Sequence, residues 1–184
     1  MNSTSENMLV ISPIGEFEDE LVDHVRSEIH RVFGYSTEIL SLLDDVNFAF
    51  DPRRDQHHST PILEKLAGLM PARGVKVLAI TTVDLFIPIL THVYGEAQLG
   101  GKACIISTCR LDEGISKVLK KEVYLFRVAK EAIHELGHTF KLLHCKDRTC
   151  IMHYCREIQD VDRKSDQLCR YCRILLNDER NRLD

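Results

Sequence analysis

Apolar residues along this chain recur with two different periods, and the alternation between them predicts the order of elements. Met8 to Ile11 is a short continuous apolar run, read as a buried strand. From about Glu16 to Phe33 the spacing becomes helical, with Leu21, Val25, Ile29 and Val32 on one face, and Gly34 follows as a C-cap. Ser36 to Leu43 alternates as a strand does, Thr60 to Met70 returns to helical spacing, and Val75 to Thr82 is a strongly apolar strand. This β-α-β-α-β succession predicts a parallel sheet with right-handed crossovers. Tyr94 to Leu99 is short, mixed in polarity and followed by Gly100 and Gly101, the pattern of an edge strand that turns back. Lys102 to Leu111 is a further apolar strand. Val118, Glu122, Leu125, Ala129, Ile133 and Leu136 trace a long helix from about Ser116 to Phe140, and after a cysteine-rich turn region a last amphipathic helix spans about Asp160 to Asn181. No repeat or low-complexity stretch interrupts this order. The chain reads as one continuous domain over 1–184, with an N-terminal part to about residue 140 and a smaller C-terminal part from about 141.

Composition narrows the partners. Apolar residues make up 44% and charged residues 28%, ordinary values for a soluble globular protein. A formal net charge of −4 offers no field for a polyanion, so neither nucleic acid nor a membrane surface is expected as a partner. The opening Met1-Asn2-Ser3-Thr4-Ser5-Glu6-Asn7 lacks a basic segment followed by an apolar one, and Asp84 and Pro88 break the apolar runs well short of a membrane span. A cytoplasmic monomer is the expectation. Seven cysteines is an odd number, and four fall at metal-ligand spacings, which favours reduced thiols and a metal over a disulfide framework.

The chemistry is concentrated after Lys130. His134-Glu135-Leu136-Gly137-His138 is an H-E-x-x-H motif at the end of a predicted helix. Four residues are about 400° of helical rotation, so both imidazoles project from one face, one turn apart, and can grip one ion. Glu135 is offset by about 100°, too far round to be a third ligand but able to reach a water held by the metal. Accidental matches to this motif number about 0.03 in a chain of this composition, and a third histidine at His144 cuts that further, so a helix end with stray histidines is the weaker reading. Three neutral imidazoles that leave a fourth tetrahedral position for water favour zinc. Glu135 would then take a proton from the water and deliver it to the leaving amine.

A second set, Cys145-x4-Cys150 and Cys169-x2-Cys172, presents two thiol pairs of the kind that close a structural zinc site. Two zinc ions per chain are therefore expected. A zinc knuckle that binds nucleic acid is the rival for this region, but Arg156 to Asp184 carries seven basic and seven acidic residues and no basic stripe. Cys104, Cys109 and Cys155 read as small core residues, and His153, His92, His57 and His58 as surface residues.

The run from His134 to His144, continuing into Cys145, Cys150, Met152, Cys169 and Cys172, resembles the archaemetzincins, a family of metzincin zinc metalloproteases. The resemblance implies a zincin-like fold of the α/β (α+β) class. In it a twisted mixed sheet, mostly parallel with one antiparallel edge strand, packs on a backing helix and an active-site helix, beside a small C-terminal subdomain with a Met-turn and a helix. It makes His134, His138 and His144 the catalytic-zinc ligands, Glu135 the general base and Met152 the Met-turn residue. For Tyr154 it offers two roles besides simple packing, a fifth ligand or a donor to the developing oxyanion. It implies a peptide or protein substrate paired along the edge strand Gly95, Glu96, Ala97, Gln98 and Leu99, with Glu96 either facing solvent or anchoring a substrate amine. One position departs: Lys141 stands where metzincins usually have Gly, and a non-glycine residue there adopts a left-handed turn at a cost on the order of 1 kcal/mol. That departure keeps open an alternative, a two-zinc binding or regulatory protein with weak turnover.

Overall fold

A computed structural model describes residues 7–116, 118 and 120–183. In chain order they form β1 (Met8–Ile14), α1 (Asp19–Phe33), β2 (Ser36–Ile39), a 3-10 turn at Asn47–Ala49, β3 (Phe50–Asp51), β4 (Gln56–His58), α2 (Ser59–Leu69), β5 (Gly74–Thr81) and β6 (Leu85–Phe86). There follow β7 (Gly95–Ala97), β8 (Ala103–Ser107), α3 (Lys120–Thr139), α4 (Ile158–Arg163) and α5 (Arg170–Leu183). The main sheet runs β2-β1-β5-β8-β7. Its first four strands are parallel, and β7 lies antiparallel along β8, pairing Gly95 with Ile106 and Ala97 with Cys104.

Side chains alternate across the sheet and feed two cores. Leu9, Ile11, Leu78, Ile80, Cys104 and Ile106 pack with α1 and α3, whereas Val10, Val77, Ala79, Ala103 and Ile105 pack with Ile62, Leu63 and Leu66 of α2. Burial on both faces explains why the central strands read as continuous apolar runs rather than as alternating ones. The result is a mixed α/β fold of three layers. Helix α1 buries Leu21, Val22, Val25, Ile29 and Phe33, carries Asp19 and Glu20 in its first turn and His30 and Arg31 in its last, and so complements its own dipole. Gly34 ends it as expected, at φ 73° with its N–H donated to the His30 carbonyl.

Several expected boundaries move. The strand from Ser36 stops at Ile39 rather than Leu43, because the chain turns away after the Leu40 N–H reaches the Ile11 carbonyl, and the next anchor is Leu42 on the Ser12 hydroxyl. The strand from Lys102 to Leu111 narrows to Ala103–Ser107, because its partner β5 ends at Thr81, which pairs with Ser107. The edge strand also shortens, leaving Gln98 and Leu99 outside it. The Gln98 side-chain oxygen accepts the N–H groups of Lys102 and Ala103, which closes the turn early. Helix α3 starts at Lys120 rather than Ser116. Val118, expected on its buried stripe, is 93% exposed and joins neither core among the described residues, and positions 117 and 119 of that stretch lie outside them.

The last helix, expected as one piece from Asp160 to Asn181, is two. Lys164 leaves α4 in an extended conformation and buries its ammonium against Glu131 of α3 at 2.7 Å, a turn inward that a continuous amphipathic helix does not allow. The small sheet β3-β4-β6 was not expected either, since strands of two or three residues are too short to show a period.

Candidate metal centres and cleft

Helix α3 ends in a Schellman turn that sets the histidine cluster. The Leu142 N–H reaches the Gly137 carbonyl at 3.0 Å and the Lys141 N–H reaches the His138 carbonyl at 3.0 Å, with Lys141 at φ 63°. This is the left-handed position expected for Lys141. The same turn brings the Leu142 carbonyl to 2.7 Å from His138 Nδ1, while the Ile151 carbonyl lies 2.9 Å from His134 Nδ1. A carbonyl only accepts, so both Nδ1 atoms carry the proton and both Nε2 lone pairs are free. Those two Nε2 atoms face each other at 3.2 Å with no proton between them, an unfavourable pairing unless a cation sits beside both. A tetrahedron with Zn–N bonds of ~2.05 Å has edges of about 3.3 Å, so the spacing fits.

His144 completes the cluster from beyond the turn. Its ring centroid lies 5.3 Å from that of His134 and 4.8 Å from that of His138, and the three ligand atoms fall within 4.8 Å of one another. Burial pushes all three imidazoles below their ordinary range, His138 to about 4, which keeps them neutral and able to bind metal at neutral pH. The Tyr154 ring stands 5.0 Å from that of His144 and is 40% exposed, facing the cleft.

Glu135 is buried against the edge strand. A Cβ on Gly95 would sit 2.6 Å from Glu135 Cγ and 2.7 Å from the Ile105 carbonyl oxygen, so only glycine lets β7 pass this close. Burial, and then the neighbouring Glu131 carboxylate, push the Glu135 carboxyl well above its ordinary value, with Lys164 opposing. Gly95, Ala97, Glu135, His144 and Tyr154 line a cleft of about 460 Å³. Glu96 neither faces solvent nor reaches the cleft floor: its carboxylate accepts the Ser59 hydroxyl at 2.5 Å and the Thr60 hydroxyl at 2.9 Å, tying β7 to the start of α2.

Beneath the helix, Met152 is fully buried, and a Cβ on Gly137 would come within 2.5 Å of its sulfur. The cysteine cluster adjoins it. The Sγ atoms of Cys145, Cys150, Cys169 and Cys172 lie within 4.8 Å of one another, and Cys145 and Cys169 are 3.8 Å apart. That separation is far beyond a disulfide of ~2.05 Å and matches the edge of about 3.8 Å expected for Zn–S bonds of ~2.3 Å. Backbone N–H groups of Cys169 and Cys172 point at Cys150 Sγ and Cys169 Sγ, at 3.3 and 3.5 Å, as they would toward thiolates.

Of the remaining cysteines, Cys104 is buried as expected, Cys155 is half-buried on the cleft wall, and Cys109 is exposed. The histidines expected on the surface are half-buried instead: His58 stacks on Phe86, His57 lies tilted against Phe50, and His153 Nδ1 donates to the Cys145 carbonyl at 2.8 Å. The buried Glu131–Lys164 pair was missed. Glu131 does stand one helical turn before Glu135, but its partner is 33 residues away, and no local pattern connects them.

Three imidazoles converging from the end of a helix, beside an edge strand and a cysteine cluster, define the class of zinc metallopeptidases. The model of peptidase family M54 matches residues 63–178. Archaemetzincin of Methanocaldococcus jannaschii is 37% identical over 171 residues, covering 92% of this chain and 93% of that protein. Archaemetzincin of Methanopyrus kandleri is 41% identical over 128 residues, 70% of each. The crystal structure of the Methanopyrus kandleri protein aligns with a TM-score of 0.81 at 32% identity and covers 97% of both chains. That of Archaeoglobus fulgidus archaemetzincin complexed with malonate aligns with a TM-score of 0.77 at 31% identity, over 91% of this chain and 99% of that one. The chain belongs to peptidase family M54, the archaemetzincins. It is a zinc metallopeptidase acting on peptide or protein substrates, and among the described residues no helix is long and apolar enough to cross a membrane.

Proposed function

We infer that the chain hydrolyses peptide bonds at the His134–His138–His144 cluster with Glu135 as general base. A second, structural zinc is held by Cys145, Cys150, Cys169 and Cys172, making two per chain. The observation that carries this reading is the pair of Nε2 atoms facing at 3.2 Å with their Nδ1 protons committed to carbonyls, in a cleft where Glu135 abuts β7. Zinc bound there supplies a Lewis acid that polarises the scissile carbonyl and brings the pKa of a water down to about 7.

The side chains do the rest. Glu135 accepts the proton of the attacking water and passes it to the leaving amine, and its burial makes it a stronger base than a solvated carboxylate. β7 is the free edge of the sheet, and its backbone groups suit pairing with an extended peptide; Gly95 and Ala97 keep that edge low, while Glu96 fixes it to α2 and the turn at Gln98 and Leu99 bounds it. Met152 supports the helix from below as the Met-turn residue, and the nearness of the Tyr154 ring to that of His144, 5.0 Å, supports a role for Tyr154 as donor to the developing oxyanion or as a fifth ligand. Lys141 completes the turn toward His144 without disturbing its hydrogen bonds, so it gives no weight to a binding protein with weak turnover.

The test is Glu135→Gln. It should retain zinc at the level of the unmodified protein while hydrolysis of any cleaved peptide falls by about 10²- to 10⁴-fold. Loss of zinc in this variant would make Glu135 a ligand, and unchanged turnover would remove it as the base.

A further inference from the structure

Beside the cleft, and joined to it through Tyr154 and Arg156, lies a second depression of about 450 Å³ lined by Arg148, His153, Tyr154, Arg156, Asp160 and Arg163. The whole chain has a formal net charge of −4, yet this shelf sets three guanidinium groups against one carboxylate. That carboxylate is already engaged: Asp160 accepts the Arg156 backbone N–H and an Arg163 N–H, both at 3.0 Å, and Arg163 also lies 3.9 Å from Glu157. Asp147, next to Arg148, is turned back on the Thr149 N–H and hydroxyl at 2.9 and 2.8 Å. Among the described residues the guanidinium groups of Arg148 and Arg156 make no ion pair or hydrogen bond. Inside the cleft Glu131 is neutralised by Lys164, so that carboxylate does not compete for them.

We propose that this shelf is a specificity subsite for a carboxylate of the peptide substrate, held by Arg148 and Arg156. The proposal rests on the peptidase reading above and names the substrate class for it. An extended peptide on β7 advances ~3.3 Å per residue with side chains alternating between faces, so successive positions sample the wall that Tyr154 and Arg156 form. Paired guanidinium groups without internal partners recognise a carboxylate with up to two hydrogen bonds each. Two sources present that group, an acidic side chain near the scissile bond and the free C-terminus of a short peptide.

Binding of hydroxamate peptides to the zinc-loaded protein separates the two without requiring turnover. One series carries an N-terminal hydroxamate and either Asp or Asn, each with a free or amidated C-terminus; a reverse series carries the hydroxamate at the C-terminus. The acidic member of at least one pair should bind about fivefold more tightly at low salt. That ratio should collapse toward one in about 0.5 M salt, and likewise in Arg148→Gln with Arg156→Gln. Asp against Asn and free against amidated termini tell which source is taken. Equal affinities across every pair overturn the subsite while leaving the peptidase intact. Failure of all the hydroxamates to bind overturns the peptidase reading itself, and this subsite with it.

Discussion

Lys141 sits at φ 63°, where a side chain costs on the order of 1 kcal/mol relative to glycine. Its ammonium recovers part of that through Glu179 at 2.9 Å, a half-exposed pair contributing at most about 1 kcal/mol. The two effects nearly offset, so Lys141→Gly should change unfolding free energy by less than about 1 kcal/mol, whereas Lys141→Val, β-branched and without the ion pair, should lose about 2 kcal/mol. Denaturant unfolding checks both, and a loss beyond about 2 kcal/mol for Lys141→Gly would show that the Glu179 contact dominates. The need for a left-handed residue here was legible, because the step from His138 to His144 forces the helix to break. The placing of His134, Glu135 and His138 was equally legible, since helical period translates directly into geometry. Gly95 and Gly137 were not: each is glycine because a distant residue, Glu135 or Met152, occupies the space a Cβ would need, and spacing along the chain carries no trace of that.

Elements were readable where one repeating pattern met one packing partner. Helix α1, with its one buried stripe, answers to that description, and the central strands read just as plainly because burial on both faces makes them unbroken apolar runs. The last helix fails it because α4 is set by ionic contacts to α3: Arg127 holds Asp162 through two bonds of 2.8 Å, Lys130 reaches the Val161 carbonyl at 3.0 Å, and Lys164 meets Glu131. The Lys164 ammonium is fully buried and Glu131 nearly so, which places this pair among those whose breaking costs most. Lys164→Met should therefore destabilise the fold by about 3–5 kcal/mol by stranding a buried carboxylate. Adding Glu131→Leu should restore most of the loss, since two apolar groups of similar size need no partner. If the double variant is as unstable as the single one in denaturant melts, α4 is held by packing and not by the ion pair.

At the scale of the molecule, the insertion of β5 between β1 and β8 and the three-layer stacking depend on contacts that local periods do not encode. The adjacency of the histidine and cysteine clusters, by contrast, was visible in the neighbours His144 and Cys145, and the fold tightens it. The Cys145 N–H donates to the Met152 carbonyl at 2.8 Å, His153 closes back on the Cys145 carbonyl, and the Ile151 carbonyl that orients His134 follows directly after Cys150. The cysteine cluster thus holds His144, the residue beneath the helix and the acceptor that fixes the tautomer of His134. Releasing it loosens the loop from Cys145 to Cys150, while α4 stays tied to α3, and re-ordering even a few residues costs on the order of 1–2 kcal/mol each in backbone entropy. His134 and His138 lie on a packed helix that the thiols do not require, so the dependence runs one way. Cys169→Ser with Cys172→Ser should weaken zinc at the histidine centre by at least about tenfold in chelator competition. His134→Ala should leave the thiolate-bound metal in place, and cobalt substitution tells the two centres apart by thiolate charge-transfer absorption. Full retention of histidine-bound zinc in the double serine variant would overturn the coupling and make the cysteine centre an independent module.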